Sequence, residues 1–220
     1  MSNLILYLIA TPDAQQKAFQ ELEAVVGDSR APTYEDLPNL PYVGACLKEI
    51  WRLCPAPAWI LRHFTDADVT YKDHVIPKGT AIVINTAAIH FDAARYPDPF
   101  NFKPERYVDH KRRAAEYAAA ADPNERDHFT FGAGRRICPG SRFAENALTL
   151  ALANMIWAFE MKPATTLVEE KEQELEVDLS DGAFDEVPLK SAKPFRARFV
   201  PRSDARLKIV NGNWLAQGKS

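Results

Sequence analysis

Apolar and polar positions divide the chain into a helical front, a short-stranded middle and a mixed rear. Leu4-Ile5-Leu6-Tyr7-Leu8-Ile9-Ala10 is apolar throughout and reads as the end of a buried helix, with no evident core of its own. Thr11 is placed to cap a new helix that has Pro12 at its first position, where a missing N–H costs nothing. Ala18, Leu22 and Val25 follow at i, i+4, i+7, and Gly27 stands where a C-terminal cap belongs. A short start at Thr33 has Asp36 three residues on, and Pro41 opens a helix running to about Leu53, ended by Pro55 and Pro57. Beyond it, Asp68–Tyr71, Asp73–Ile76 and Thr80–Asn85 read as short strands, with Pro77-Lys78-Gly79 as one of the turns. Tyr96–Tyr107 is a meandering loop rich in Pro, Asp and Phe, and Ala114–Ala121 has helical propensity. Ser141–Phe159 is the longest helical pattern, and Phe195, Ala197 and Phe199 alternate with Arg196 and Arg198 as a half-buried strand. Residues after Pro201 read as loosely held. The fold class expected is mainly α with a small β-sheet portion, without the regular alternation of a doubly wound fold.

Composition narrows the function classes. The 220 residues suffice for a sizeable core, and 46% hydrophobic with 26% charged residues is ordinary for a globular chain. Lys plus Arg number 27 against 30 Asp plus Glu, a net charge of -3 that gives no reason to expect nucleic-acid binding. Cys46, Cys54 and Cys138 form no C-x-x-C pair and cannot all be paired within one chain, which excludes a disulfide scaffold and fits a reducing compartment. The apolar run Leu4–Ala10 is too short to span a bilayer and lacks the basic start of a signal peptide.

The chemistry concentrates in Phe131-Gly132-Ala133-Gly134-Arg135-Arg136-Ile137-Cys138-Pro139-Gly140, directly before the long helix. Unpaired N–H groups and the dipole at that helix start favour an anionic sulfur on Cys138. Pro139 has no N–H to give, so Gly140 and its successors supply the donors. The glycines let the backbone approach a flat ligand, and Arg136 is two residues from the sulfur, within reach of an anionic group at the ligand's edge. Thiolate, glycines and arginine together suit an iron porphyrin carrying propionates. A lone buried cysteine at a helix cap is the plainer alternative. A zinc site has only His128 as a nearby second ligand. The stretch resembles the haem-binding signature F-x-x-G-x-R-x-C-x-G of the cytochrome P-450 superfamily, the haem-thiolate monooxygenases, at every fixed position: Phe131, Gly134, Arg136, Cys138 and Gly140.

Two further segments carry the same resemblance. Glu49 and Arg52, three apart on one helix, share a face; alone they would be an exposed pair worth under ~1 kcal/mol. Glu49-Ile50-Trp51-Arg52 is similar to the family's E-x-x-R helix, and Pro104-Glu105-Arg106-Tyr107 to its later P-E-R segment. The resemblance implies a buried triad of Glu49, Arg52 and Arg106 that locks the meander and the cysteine loop. It also implies a propionate contact from His63, with Arg62 as understudy, and a structural role for His90. Ala56–Leu61 would border the substrate space, with the turn at Gly182-Ala183-Phe184 on its other side.

The family's oxygen-activating helix carries an acid or amide beside a threonine, and no such pair precedes Leu4 in this sequence; Thr11 lies after that helix. The expected architecture is therefore the C-terminal half of the P-450 fold: residues 1–203 as part of a single domain, and 204–220 as a tail. The resemblance implies haem (iron protoporphyrin IX) with Cys138 as axial iron ligand, Phe131 shielding the sulfur, and Arg136 and His63 on propionates. It implies insertion of one oxygen atom of O2 into a small organic substrate, with electrons from an NADPH-dependent reductase. The wording of Phe102-Lys103-Pro104-Glu105-Arg106-Tyr107 is closer to eukaryotic microsomal, fungal-like members than to bacterial ones. That implies a parent on the cytosolic face of the endoplasmic reticulum, although this chain carries no anchor. The alternatives are a truncated, non-catalytic fragment with weak haem binding and a non-oxygenating haem-thiolate isomerase or dehydratase.

Overall fold

Two prolines at helix starts set the front of the structure, a computed structural model that describes residues 1–55, 62–110, 112–168, 171–185 and 190–217. Helix α1 (Ser2–Ala10) is followed by α2 (Pro12–Val25) and α3 (Pro41–Leu53), with Pro12 and Pro41 in the first turns. Between them, a 3-10 turn (Tyr34–Asn39) is closed by a capping box of Thr33 and Asp36. Arg30 pairs with Asp36 at 2.7 Å and, ahead of burial and the Thr33 contacts, holds its carboxyl well below the usual range.

The middle and rear add α4 (Thr86–His90), α5 (Ala114–Ala118), α6 (Ser141–Ala158) and α7 (Asp204–Gln217). Strands occur as antiparallel pairs: β1 (His63–Phe64) with β4 (Ala81–Ile82), and β2 (Val69–Tyr71) with β3 (His74–Ile76). Likewise β5 (Phe159–Pro163) pairs with β8 (Ala197–Pro201), and β6 (Thr165–Val168) with β7 (Lys171–Glu174). The result is mainly α with small antiparallel sheets.

Several expectations change on contact with tertiary structure. Helix α1 does have a core: Leu4, Leu6, Leu8 and Ile9 are buried, and the helix packs on α2, α3 and β5. A helix apolar all round has to be covered on several sides, and these three elements do it. Thr11 closes α1 rather than capping α2, because its Oγ1 donates to the Tyr7 carbonyl at 2.6 Å. The strand expected at Thr80–Asn85 shrinks to the two residues that meet β1. The alternation read at Phe195–Phe199 stops short, since Phe199 at the edge of a two-stranded ribbon is 41% exposed. Residues 204–217, read as a loosely held tail, form α7. Its first turn is anchored by Arg206, which is buried, donates to the Trp157 carbonyl at 3.2 Å and pairs with Glu23.

Long-range polar contacts finish what the apolar pattern starts. Leu152, Ala153, Ile156 and Trp157 on α6 are fully buried, and Trp157 Nε1 donates to the Gly27 carbonyl at 2.7 Å. Gly27 can present that carbonyl because it sits at φ +73, a conformation that favours glycine. Gln15 bonds both backbone groups of Met161, at 2.9 and 2.7 Å, and so ties α2 to β5. Glu21, reaching over from α2, accepts from the N–H groups of Tyr42 and Val43 and caps α3, whose own N-cap is Leu40. Glu145 of α6 does the same for α5 at Ala114 and Ala115.

Truncating Leu8→Ala is expected to cost about 2–5 kcal/mol, since the side chain is fully buried. Denaturant unfolding of the two proteins measures it, and a loss below that range would mean that α1 is not an integral part of the core.

Candidate functional site

The site is built on α3. Glu49 and Arg52 pair at 2.7 Å with both side chains wholly removed from solvent. The exposed-pair alternative therefore fails. Arg52 uses all five guanidinium N–H groups: Nε and Nη2 bond the two Glu49 oxygens, and Nη1 and Nη2 reach the carbonyls of His90, Pro99 and Asn101. Burial alone would lower the Arg52 pKa, but the Glu49 contact outweighs it and leaves the value raised. Glu49 Oε1 also accepts from the Lys103 N–H at 2.9 Å and Arg106 Nε at 3.3 Å. Arg106 Nη2 donates to the Asp98 carbonyl. The triad thus holds 90–106 against α3 by main-chain contacts.

His90, at the end of α4, carries the bracing onward. Its Nδ1 is 3.0 Å from the Arg52 carbonyl and its Nε2 accepts from the Phe129 N–H at 2.8 Å. Those partners require a proton on Nδ1 alone, hence a neutral ring. Burial, reinforced by His128, pushes the His90 pKa down to about 3. His128 is wholly buried, and burial lowers it to about 4. Trp51 adds the last link. Its carbonyl accepts from Thr130 Oγ1 at 2.7 Å, and its indole meets the Phe131 and His128 rings edge-on at 4.8 and 5.4 Å.

The cysteine loop stands on this base. The Cys138 N–H donates to the Phe131 carbonyl at 2.9 Å, closing the loop, with Gly132 and Gly134 at φ +84 and +67. Gly134–Arg136 form a 3-10 turn, and Gly140 directly precedes α6. Cys138 is exposed, and its sulfur has no hydrogen-bond partner among the described residues. Arg136 is exposed too and forms no ion pair among them. A Cβ on Gly140 would meet nothing within 4 Å except the Cys138 sulfur at 3.8 Å. Phe131, Gly134, Arg136, Cys138 and Gly140 are therefore brought into one loop with an open sulfur and a free cation. That donor set fits a porphyrin with anionic edges.

His63 is not in that loop. It lies exposed on β1 opposite Ile82, without a hydrogen bond to the cysteine loop among the described residues. Ala56–Leu61 lie outside the described residues. Phe184 is buried 6.2 Å from the Tyr7 ring, while Gly182 and Ala183 line a cavity of about 350 Å³ with Leu6 and Ile9. Sequence reasoning missed Trp51 and Thr130. The available signal was a large aromatic inside the E-x-x-R segment, but its partner is 79 residues away.

The family profile described as Cytochrome P450 matches residues 1–180. The chain belongs to the cytochrome P450 family. It is 51% identical over 214 residues to "Cytochrome P450 monooxygenase pgmC" of Aspergillus terreus, covering 97% of this chain and 40% of that protein. It is 39% identical to "Cytochrome P450 monooxygenase virE" of Hypocrea virens, covering 94% of this chain and 37% of the relative. A zebra fish cytochrome P450 solved with abiraterone superposes with a TM-score of 0.75 at 26% identity, over 92% of this chain and 44% of that one. The chain thus spans about two-fifths of the length of these relatives, and its fold is part of the P450 fold. Among the described residues no helix is long and apolar enough to cross a membrane.

Arg52→Ala should lower stability by ~3–5 kcal/mol, because it leaves the buried Glu49 charge uncompensated. Urea unfolding measures it, and an effect under ~1 kcal/mol would show that the triad is dispensable.

His90 and His128 have folded pKa values below the ordinary 6.5, so the unfolded state binds more protons as pH falls. Their stabilisation is present above about 6.5 and is lost toward the folded values, with a slope approaching ~1.4 kcal/mol per pH unit per histidine. Between pH 6.5 and 5, above the usual carboxylate range, His128→Phe should remove one histidine's share of that slope. An unchanged slope would mean that His128 is not held neutral.

Proposed function

We propose that this chain supplies the cysteine-ligand half of a haem-thiolate monooxygenase, with residues 1–203 as the C-terminal part of one P450 domain. The observation that carries the reading is Cys138: an exposed sulfur without a hydrogen-bond partner, on a braced glycine loop at the start of α6, two residues from the free Arg136. Cys138 would hold the haem iron through its sulfur, and Phe131 would screen that sulfur from water. Arg136 would pair with one propionate and His63 with the other. Gly134 and Gly140 keep the approach clear of side chains.

When bound, the haem supplies activation of molecular oxygen, with the thiolate ligand favouring O–O cleavage. An NADPH-dependent reductase delivers the electrons and a small organic molecule receives one oxygen atom. The names of the fungal relatives support the monooxygenase reaction. A parent on the cytosolic face of the endoplasmic reticulum is part of the same proposal.

A second reading concerns residues 1–220 by themselves. Phe143 on α6 is 79% exposed and Phe64 on β1 is 65% exposed. Phe143, in the first turn of α6 directly after the cysteine loop, is left uncovered by the chain itself, which favours a haem held loosely and open to water. We expect the chain alone to bind haem weakly and not to oxidise substrates.

Reconstitution with hemin, reduction and a carbon monoxide difference spectrum tests the ligand. A strongly red-shifted Soret band that Cys138→Ala abolishes is the expected result, and persistence of the band in the variant would refute Cys138 as the axial ligand. Sustained substrate turnover by 1–220 with a reductase would refute the fragment reading.

A further inference from the structure

A second polar cavity, of about 730 Å³, opens between the meander and the segment leading into the cysteine loop. Three guanidinium groups line it, Arg95, Arg106 and Arg126, together with His110, Asp92 and Asp127. Asp127 is 2.8 Å from Lys48 Nζ and 3.4 Å from His110, although its Oδ1 is buried without a hydrogen-bond partner. Asp92 accepts from the Ala94 N–H with no cation partner among the described residues, so two carboxylates share the wall with the three arginines. Arg106 is balanced by Glu49.

Arg95 and Arg126 are different. Arg95 donates to the Tyr96 hydroxyl and to the carbonyls of Pro123 and Arg126, and Arg126 Nε donates to the Ala120 carbonyl. Neither guanidinium has a carboxylate partner among the described residues. Arg126 is 9% exposed, and its Nη1 is buried with no hydrogen-bond partner. A cation so far removed from water and left uncompensated is costly, and a bound anion would offset that cost.

We propose that this cavity binds a phosphate group, with Arg95 and Arg126 as its principal ligands and Arg106 as a third cation at its wall. Phosphate fits better than a single carboxylate because it offers three acceptor oxygens, and a near-double charge, to several guanidinium forks. The cavity is much larger than the ion, so it has room for a small organic remainder carrying the phosphate. Binding would tie Arg95, which precedes the meander, to Arg126, two residues before His128. It would thereby stiffen the main chain that His90 and Thr130 hold under the cysteine loop.

Calorimetric and thermal-unfolding titrations of the whole chain with inorganic phosphate, and separately with phenyl phosphate, test the proposal at ionic strength fixed with chloride. Saturable binding and a rise in melting temperature are expected. Tighter binding of phenyl phosphate would indicate an organic phosphate as ligand, and equal or weaker binding the free ion. Arg126→Gln should weaken binding roughly tenfold or more, as loss of a charge-assisted contact implies. Arg95→Gln reports independently should the first variant not fold, and Arg142→Gln, on exposed α6 surface, should bind as the parent does. The proposal is overturned if neither phosphate binds saturably, if chloride gives the same thermal shift, or if the folded Arg126 or Arg95 variant binds unchanged.

Discussion

The buried Glu49–Arg52 pair is the constraint on which the rest of the site depends. Removing both charges from water is expensive, and Coulomb attraction alone does not guarantee recovery of that cost. Here every Arg52 N–H finds an acceptor, and the acceptors beyond Glu49 are main-chain carbonyls of the meander. A loop with little secondary structure of its own is therefore fixed by the hydrogen-bond demand of a single side chain. Glu49 completes the arrangement by accepting from Lys103 N–H and Arg106. The pair gives position to residues that the hydrophobic pattern leaves unplaced.

From there the order passes to the cysteine loop through groups that stay neutral. His90 joins the Arg52 carbonyl to the Phe129 N–H, and Trp51 joins its own carbonyl to Thr130 and its ring to Phe131. Buried neutral histidines can do this without the desolvation penalty of a charge. The loop itself ends exposed, with the Cys138 sulfur and the Arg136 guanidinium free of partners among the described residues. A base held this firmly and a tip left this open suit a site whose ligand comes from outside the chain. The same base carries the Arg126 segment, so the second cavity and the cysteine loop share one support.

Much of this was legible in the sequence because it is local. Pro12 and Pro41 mark helix starts, Thr33 and Asp36 mark a capping box, and Phe131, Gly134, Arg136, Cys138 and Gly140 mark the cysteine loop. The E-x-x-R and P-E-R segments resembled the family, and the buried triad between them is present. The failures are equally specific. Thr11 could have accepted from an N–H of the helix ahead of it, but its hydroxyl donates to the Tyr7 carbonyl behind it. In the Phe195–Phe199 alternation Phe195 and Ala197 pack against the core while Phe199 stays exposed on a ribbon of two strands among the described residues. The long Leu4–Ala10 run gave no hint of what would cover it.

The sequence by itself determined where α2, α3 and α6 lie and which sulfur stands at a helix start, since these follow from backbone stereochemistry over a few residues, whereas α4 and α7 were not read from it. Only the tertiary structure decided that Glu21 caps α3, that Glu145 caps α5 and that Gln15 serves as a strand partner for Met161. It also gave Arg52 the meander carbonyls as partners and left Arg126 without a carboxylate partner among the described residues. Each of these joins groups many positions apart, and whether a polar side chain is satisfied or stranded depends on which distant backbone reaches it.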